Sequence, residues 1–334
     1  MKRRLAWLAL LALACAAQAA PPAQTPYARR EEVRGFIRDL VERHGFVERE
    51  LAFLFSRTRR EPVVLAAIAP PKDPRARSWQ LYRARFLSES RIAEGAEFWR
   101  ANAAALARAA EEHGVPEEIV VAIIGIETVY GRQMGGWRVI DALTTLAFDY
   151  APRAEFFRAE LEQYLLFARE SGLDVFSVKG SYAGAIGIPQ FMPGSYRRFA
   201  VDYDGDGAVN LRGSPADAIG SVANFLARHG WRRGERIQLP ARVAGENALA
   251  AHRPLLEAGL EPSASLAELK RYGVETRTDL PLETPVALIE LESPDAPTEY
   301  RLGLRNFYVL TRYNRSALYA AAVCDLAQEI KSRR

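Results

Sequence analysis

Between residues 116 and 131 the chain reads PEEIVVAIIGIETVYG. Pro116 suits a first helical position, and Glu117 and Glu118 suit the positive end of the helix dipole. From Ile119 to Ile126 no polar side chain interrupts the run. A helix that is apolar all round has no face to give to water, so it is buried on every side. Glu127 closes this run, which puts a carboxyl at the end of a buried helix. Desolvation there raises a carboxyl pKa and can keep it protonated near neutral pH, as a general acid must be. An ordinary solvated Glu at a helix end is the competing reading, and the surrounding sequence has to decide.

The segments around this helix also read as helices. Val33, Phe36, Ile37, Leu40 and Val41 recur at helical spacing within 28–57. APPKDPRAR (69–77) is a Pro-rich connector, after which Trp79 opens a further helix. Residues 90–112 read as one long helix, and 141–148, 153–170 and 216–229 as three more. The stretch 172–215 is rich in Gly, Pro, Ser and Asp, which predicts loops and turns. Past Gly230, ERIQLPARV and TPVALIELES predict short strands, with SLAELKRYG a short helix between them. The tail from Phe307 returns to helix. The expected fold class is mainly α, of the α+β kind, with a small β-containing part.

The N-terminus sets a compartment. Lys2, Arg3 and Arg4 precede a short apolar stretch from Leu5 to Ala17, and Ala17-Gln18-Ala19 is a cleavage pattern. This is a secretory signal peptide, too short for the roughly 20 residues that span a bilayer. Lipidation at Cys15 is a second option, although Ala12 stands where a lipoprotein signal usually has Leu. Over 334 residues the chain has 45 basic and 41 acidic side chains, a formal charge of +4. Loss of residues 1–19 removes three positives and no acid, leaving 42 against 41, or +1. That balance gives no nucleic-acid footprint. The same cleavage leaves Cys324 as the sole thiol, in an apolar helical pattern that suggests packing. The histidines, at 44, 113, 229 and 252, have no zinc spacing.

Two further segments carry chemistry. In KGSYAGAIGIPQFMPGSY (179–196), glycines let the backbone approach a ligand, Ser181, Gln190 and Tyr196 offer hydrogen bonds, and Phe191 offers a stacking face. There is no phosphate-loop ending and no G-x-S-x-G elbow, and a polar-aromatic groove suits sugars. In DYDGDGAVN (202–210), Asp202, Asp204, Asp206 and Gly207 match positions 1, 3, 5 and 6 of an EF-hand calcium loop. Gly213 replaces the usual last Glu, so either affinity is weaker or another carboxylate, such as Asp217, helps.

Taken in order, GVPEEIVVAIIGIETVYGR, DALTTLAFDY, APRAEFF, the 179–196 segment, the Asp-rich loop, DAIGSVANFLARHGW and NFYVLTRYNRSALYA resemble the membrane-bound lytic murein transglycosylase B family. The resemblance covers roughly 76–234 strongly and 305–325 clearly. It implies a lysozyme-like helical core, an accessory helical domain and a small β-containing domain. On this sequence those become a signal peptide (1–19), an N-terminal helical region (20–75), the core with the Asp loop (76–235), the β subdomain (236–300) and a C-terminal segment completing the groove (301–334). It implies cleavage of the β-1,4 bond between N-acetylmuramic acid and N-acetylglucosamine in peptidoglycan without water, leaving 1,6-anhydromuramic ends. The implied catalytic acid is Glu127. The implied groove residues are Tyr82, Arg153, Ser181, Gln190, Phe191, Tyr313, Asn314 and Tyr319. The implied Ca2+ loop uses Asp202, Asp204, Asp206 and the carbonyl of Ala208, in a structural role, with no organic cofactor. Periplasmic location, action as a monomer on glycan strands, and other cell-wall enzymes as candidate partners complete the expectation. One departure is that Pro152 precedes a single Arg153 where the family pattern has two adjacent arginines.

Most glycosidases use two carboxylates across the bond. Asp141 and Asp149 are the nearby candidates, and neither lies in a loop suited to a facing nucleophile. A single-acid route with help from the substrate's own N-acetyl group fits better. A hydrolytic muramidase and an inactive glycan-binding scaffold are the alternatives. The intact Glu127, Ser181 and Gln190 argue against the scaffold.

Overall fold

The computed structural model describes residues 25–70, 73, 78–243, 248–294 and 296–334. The signal segment and Cys15 lie outside the described residues. The chain divides after Thr58 into two compact units.

In the first unit a 3-10 turn at Tyr27–Arg29 leads into α1 (Glu31–His44) and α2 (Glu48–Arg57). Val33, Phe36, Ile37 and Leu40 form the buried stripe of α1, as their spacing predicts. The helical stretch expected over 28–57 is made of two helices, because Gly45 takes a left-handed cap at φ 64° and ends α1.

The second unit begins with α3 (Pro62–Ile68), α4 (Trp79–Phe86), α5 (Glu89–Ala101) and α6 (Ala103–His113). The one long helix expected from 90 to 112 is thus broken, at Asn102. Its backbone leaves helical values (φ −118°, ψ 22°) and its amide donates to the Phe98 carbonyl at 2.8 Å. This is a side-chain bond that competes with helix continuation. Next comes α7 (Glu117–Thr128), the apolar helix. Pro116 is its cap rather than its first residue. Every side chain from Ile119 to Ile124 is at most 2% exposed. Helices α5 and α6 pack against α7.

Then follow β1 (Trp137–Arg138), α8 (Val139–Asp149), α9 (Ala154–Glu170) and β2 (Lys179–Gly180). The loop region after it contains a helix that its Gly and Pro content concealed, α10 (Pro193–Phe199). Pro193 sits in the first turn, where its missing N–H costs nothing. Next is α11 (Pro215–Arg228), capped by Ser214, whose hydroxyl accepts from Asp217 N. It also packs on α7.

The expected β part is an antiparallel five-stranded sheet built from β3 (Gln238–Val243), β4 (Ala264–Ser265), β5 (Val274–Glu275), β6 (Pro285–Ser293) and β7 (Ala296–Gly303), in the order β4-β6-β7-β3-β5. Two helices, α12 (Ala248–Glu257) and α13 (Leu266–Arg271), accompany it. Leu239, Leu266, Leu269, Val286, Leu288 and Leu302 form its separate core. Strand β7 extends past the expected end at 300. Finally α14 (Arg305–Tyr313) and α15 (Ala317–Ser332) return to the helical core, where α15 lies along α7. Cys324 on α15 is a free, half-buried thiol, pushed up to about 12 by burial, which fits packing.

Candidate active site

Three devices fix the end of α7 and so aim Glu127. Val129 and Tyr130 both adopt left-handed backbone (φ 52° and 59°), followed by Gly131 at 88°. Two such non-glycine residues in succession end the helix sharply and cost of order 1–2 kcal/mol each. The buried Thr128 hydroxyl donates to the Ile188 carbonyl at 2.7 Å and accepts from Gly131 N at 3.0 Å. The Tyr130 hydroxyl donates to the Arg91 carbonyl at 2.8 Å. Its phenol lies so close over Gly125 that a Cβ there would meet it at 2.6 Å.

Glu127 is partly open, yet protein crowds its carboxyl. Burial raises the pKa from 4.5 to about 7, and a hydrogen bond from the Tyr319 hydroxyl, 2.7 Å from Oε1, opposes the rise. Tyr319 stacks nearly parallel to Tyr313, with ring centroids 6.3 Å apart. The Tyr313 hydroxyl donates to the Pro189 carbonyl at 2.6 Å. Burial and the negative field of Glu127 push both phenols well above 10. Tyr82 on α4 feels the same field and is raised to about 12, with burial the larger cause. Glu127, Tyr82, Tyr313 and Tyr319 therefore form one group.

Tyr313 also belongs to a second group. A cleft of about 860 Å³ is lined by Arg153, Phe157, Glu160, Gln190, Phe191, Phe225, Tyr313 and Asn314, among others. Gln190 takes left-handed backbone at φ 51°, and its amide nitrogen donates to the carbonyls of Gly187 (2.8 Å) and Met134 (3.3 Å). Its carboxamide oxygen has no partner among the described residues. Gly187 (φ 76°) has no room for a Cβ, which would stand 2.5 Å from the Leu211 carbonyl oxygen. Phe191 is only 2% exposed, sandwiched near Phe225 and Tyr313 at 5.6 and 5.9 Å. Its ring is therefore cleft wall rather than the open stacking face expected. Arg153 lies over the rings of Phe156 and Phe157. Ser181 is not in the lining, and its hydroxyl oxygen accepts from Ala185 N at 3.1 Å.

Asp141 and Asp149 are structural. Asp141 accepts from Arg59 N at 2.9 Å and Arg138 Nε at 2.5 Å, and Asp149 pairs with Arg60 at 3.1 Å. The carboxyl that does line the cleft is Glu160, which the sequence reading missed. It accepts from Gly194 N at 2.7 Å and so caps α10, and burial raises its pKa. A Glu on the apolar face of α9, between Phe157 and Leu161, was the available signal.

In the Asp-rich loop, Asp202, Asp204 and Asp217 bring carboxylate oxygens within 4.8 Å of one another. Asp206 stays outside this group. Asp217 is fully buried and accepts from the backbone N–H groups of Tyr203, Asp204 and Asn210. Three hard oxygen donors in a turn-rich loop fit a calcium ion, with Asp217 in place of the missing last Glu.

A helical core around a buried helix, a largely buried carboxyl at that helix's end and a small sheet inserted before the last helices define the α+β, lysozyme-like fold class. Solved structures agree. Soluble lytic transglycosylase SltB1 from Pseudomonas aeruginosa superposes with TM-score 0.82 at 47% identity, covering 90% of this chain and 99% of that one. Escherichia coli lytic transglycosylase Slt35, solved in complex with calcium, gives 0.79 at 39%, covering 92% and 94%. The membrane-bound lytic murein transglycosylase B of Escherichia coli (strain K12) is 39% identical over 313 residues, 91% of this chain and 84% of that protein. Residues 28–328 match the family described as "Transglycosylase SLT domain", and the chain belongs to that family.

Proposed function

We propose that this protein is a peptidoglycan lytic transglycosylase that works with Glu127 as its single catalytic carboxyl. The observation that carries this reading is the half-open Glu127, its pKa raised to about 7 and its Oε1 bonded to Tyr319. Protonated Glu127 donates its proton to the glycosidic oxygen between N-acetylmuramic acid and N-acetylglucosamine. The substrate's N-acetyl carbonyl stabilises the cationic centre, as in substrate-assisted glycosidases. Glu127, now a carboxylate, takes the proton of the C6 hydroxyl, whose oxygen closes the 1,6-anhydro ring. Two facts favour the one-carboxyl route: Asp141 and Asp149 are bound to arginines, and an oxygen of Glu160 is taken by Gly194 N. Tyr82, Tyr313 and Tyr319 keep water from the acid, while Arg153, Gln190 and Asn314 on the cleft hold the sugar or its substituents; Phe191 walls that cleft, and Ser181 shapes the 179–196 loop from outside the lining.

Asp202, Asp204 and Asp217 would hold calcium, with Asp206 and the Ala208 carbonyl as the further donors that the motif supplies. The ion would brace the loop between α10 and α11 and take no part in the chemistry. The relative solved with calcium supports this. The leader over 1–19 supports a periplasmic address, and among the described residues no helix is long and apolar enough to cross a membrane. Division into helical region (20–75), core (76–235), β subdomain (236–300) and closing segment (301–334) belongs to the same proposal.

Mass spectrometry of muropeptides released from purified sacculi tests the function. The expected products are one water lighter than reducing muropeptides, and Glu127→Gln is expected to release none while unfolding cooperatively. Reducing ends would mean a hydrolytic muramidase, and normal turnover by Glu127→Gln would remove the acid from the scheme.

A further inference from the structure

An ionic cluster outside the groove ties α4, which carries Tyr82, to α15, which carries Tyr319. At its centre is Arg301 on β7, only 8% exposed. Its guanidinium bonds Asp325 on α15 through both terminal nitrogens, at 2.7 and 3.1 Å, and Glu299 through Nε at 2.6 Å. Asp325 in turn accepts from Arg83 Nε on α4 at 2.7 Å. Glu299 accepts from Trp79 Nε1, at the start of α4, at 2.9 Å, and the Trp79 ring lies under the Arg301 guanidinium. The Ser293 hydroxyl at the end of β6 accepts from Gln80 N at 3.1 Å. Three consecutive attachment points thus hold α4, and Tyr82 falls between the second and the third. The same Asp325 stands on the helix that carries Tyr319, the hydrogen-bond donor to Glu127.

We propose that Asp325 and Arg83, backed by Arg301 from the β subdomain, are positioning residues that hold Tyr82 over Glu127 and so keep water from the acid. The proposal rests on Glu127 being that acid. Its physical basis is that a satisfied, partly buried ionic network restrains the short helix it joins, in addition to the packing of the buried Trp79. If α4 loosens, water reaches Glu127 and its pKa falls back towards the ordinary carboxyl value. The fraction protonated at neutral pH then drops, and turnover drops with it. The β subdomain acquires a role here, since it supplies Arg301, Glu299 and Ser293.

Asp325→Asn would strand a buried guanidinium, which endangers folding. Arg83 is 41% exposed at its side chain, so Arg83→Gln is the variant to use. Steady-state turnover of purified sacculi across pH 4–9 is the measurement. For Arg83→Gln, kcat at pH 7 is expected to fall about fivefold with KM within about twofold, and the alkaline limb to move about one unit to lower pH. In a Tyr82→Ala background, Arg83→Gln is expected to add nothing, because both act through the same ring. Arg83→Lys, which keeps a charged donor, is expected to restore most of the rate. An unmoved alkaline limb, or losses that add in the double variant, would overturn the proposal. Glu127→Gln run alongside separates the two readings. If it is dead while Arg83→Gln behaves as wild type, the positioning role alone falls; if it turns over, the acid assignment falls too, and the positioning role with it.

Discussion

Glu127 shows how one residue's chemistry is set by its neighbours. Burial pushes its pKa up, while the Tyr319 hydroxyl bonds Oε1 and favours the ionised form. Removing that donor therefore raises the pKa further. In Tyr319→Phe the alkaline limb of the kcat–pH profile is expected above its wild-type position near 7, opposite to the Arg83→Gln shift. A limb that moved down would mean the phenol excludes water more than it donates. The position of Glu127 was legible, because eight apolar residues in a row can only be interior and the first polar residue after them sits at the exit. What the sequence did not show was the pair of left-handed residues, Val129 and Tyr130, that turns the chain there. Neither is a residue type that announces φ > 0. Phe191 was misjudged for a related reason: an aromatic ring reads the same whether it walls a cleft or faces a ligand.

At the scale of elements, the Asp-rich loop is anchored at its far end by the first turn of α11. Asp217 accepts three backbone N–H bonds while offering oxygens to the Asp202–Asp204 group. Calcium is expected to raise the melting temperature, and a chelator to lower it. Asp217→Asn is expected to abolish that response and to cost about 1–3 kcal/mol besides, since it unsettles three backbone donors. Asp206→Asn, outside the group, is expected to retain most of it. Calorimetry with and without calcium checks all three, and a melting temperature indifferent to calcium would argue for a plain Asp turn. The loop's motif was visible by spacing, and with Gly213 in the last position Asp217 was the carboxylate left to close it; what spacing could not show was that Asp206 stays outside the group. Helix boundaries failed in a similar way. Asn102 splits a helix with one side-chain bond to Phe98, a local competition that apolar periodicity does not register.

For the whole molecule, an acid held at about 7 rather than 4.5 is a stability statement. Below pH 4.5 the group is protonated whether folded or not, and its contribution is fully present. As pH rises through 7 the unfolded chain is already ionised while the fold resists, so stability is lost across that window. Discounted for partial solvent access, the loss is on the order of 2 kcal/mol. Glu127→Gln is therefore expected to resist urea better than wild type at pH 8 and equally at pH 4. A pH-independent difference would point to packing instead. The general architecture was readable from the order of helical and alternating segments. The way the sheet is joined to the helices was not, because Arg301, Asp325 and Arg83 are far apart in sequence and look like surface charges. Such separation also governs when the surroundings of Glu127 are completed. Tyr319 comes 192 residues after Glu127 and within sixteen of Arg334. Contacts of such long range form late in folding. A chain still emerging from the ribosome therefore carries Glu127 without the phenols of Tyr313 and Tyr319 beside it. The hydrogen bond that tunes Glu127 is thus completed only when the last helix docks.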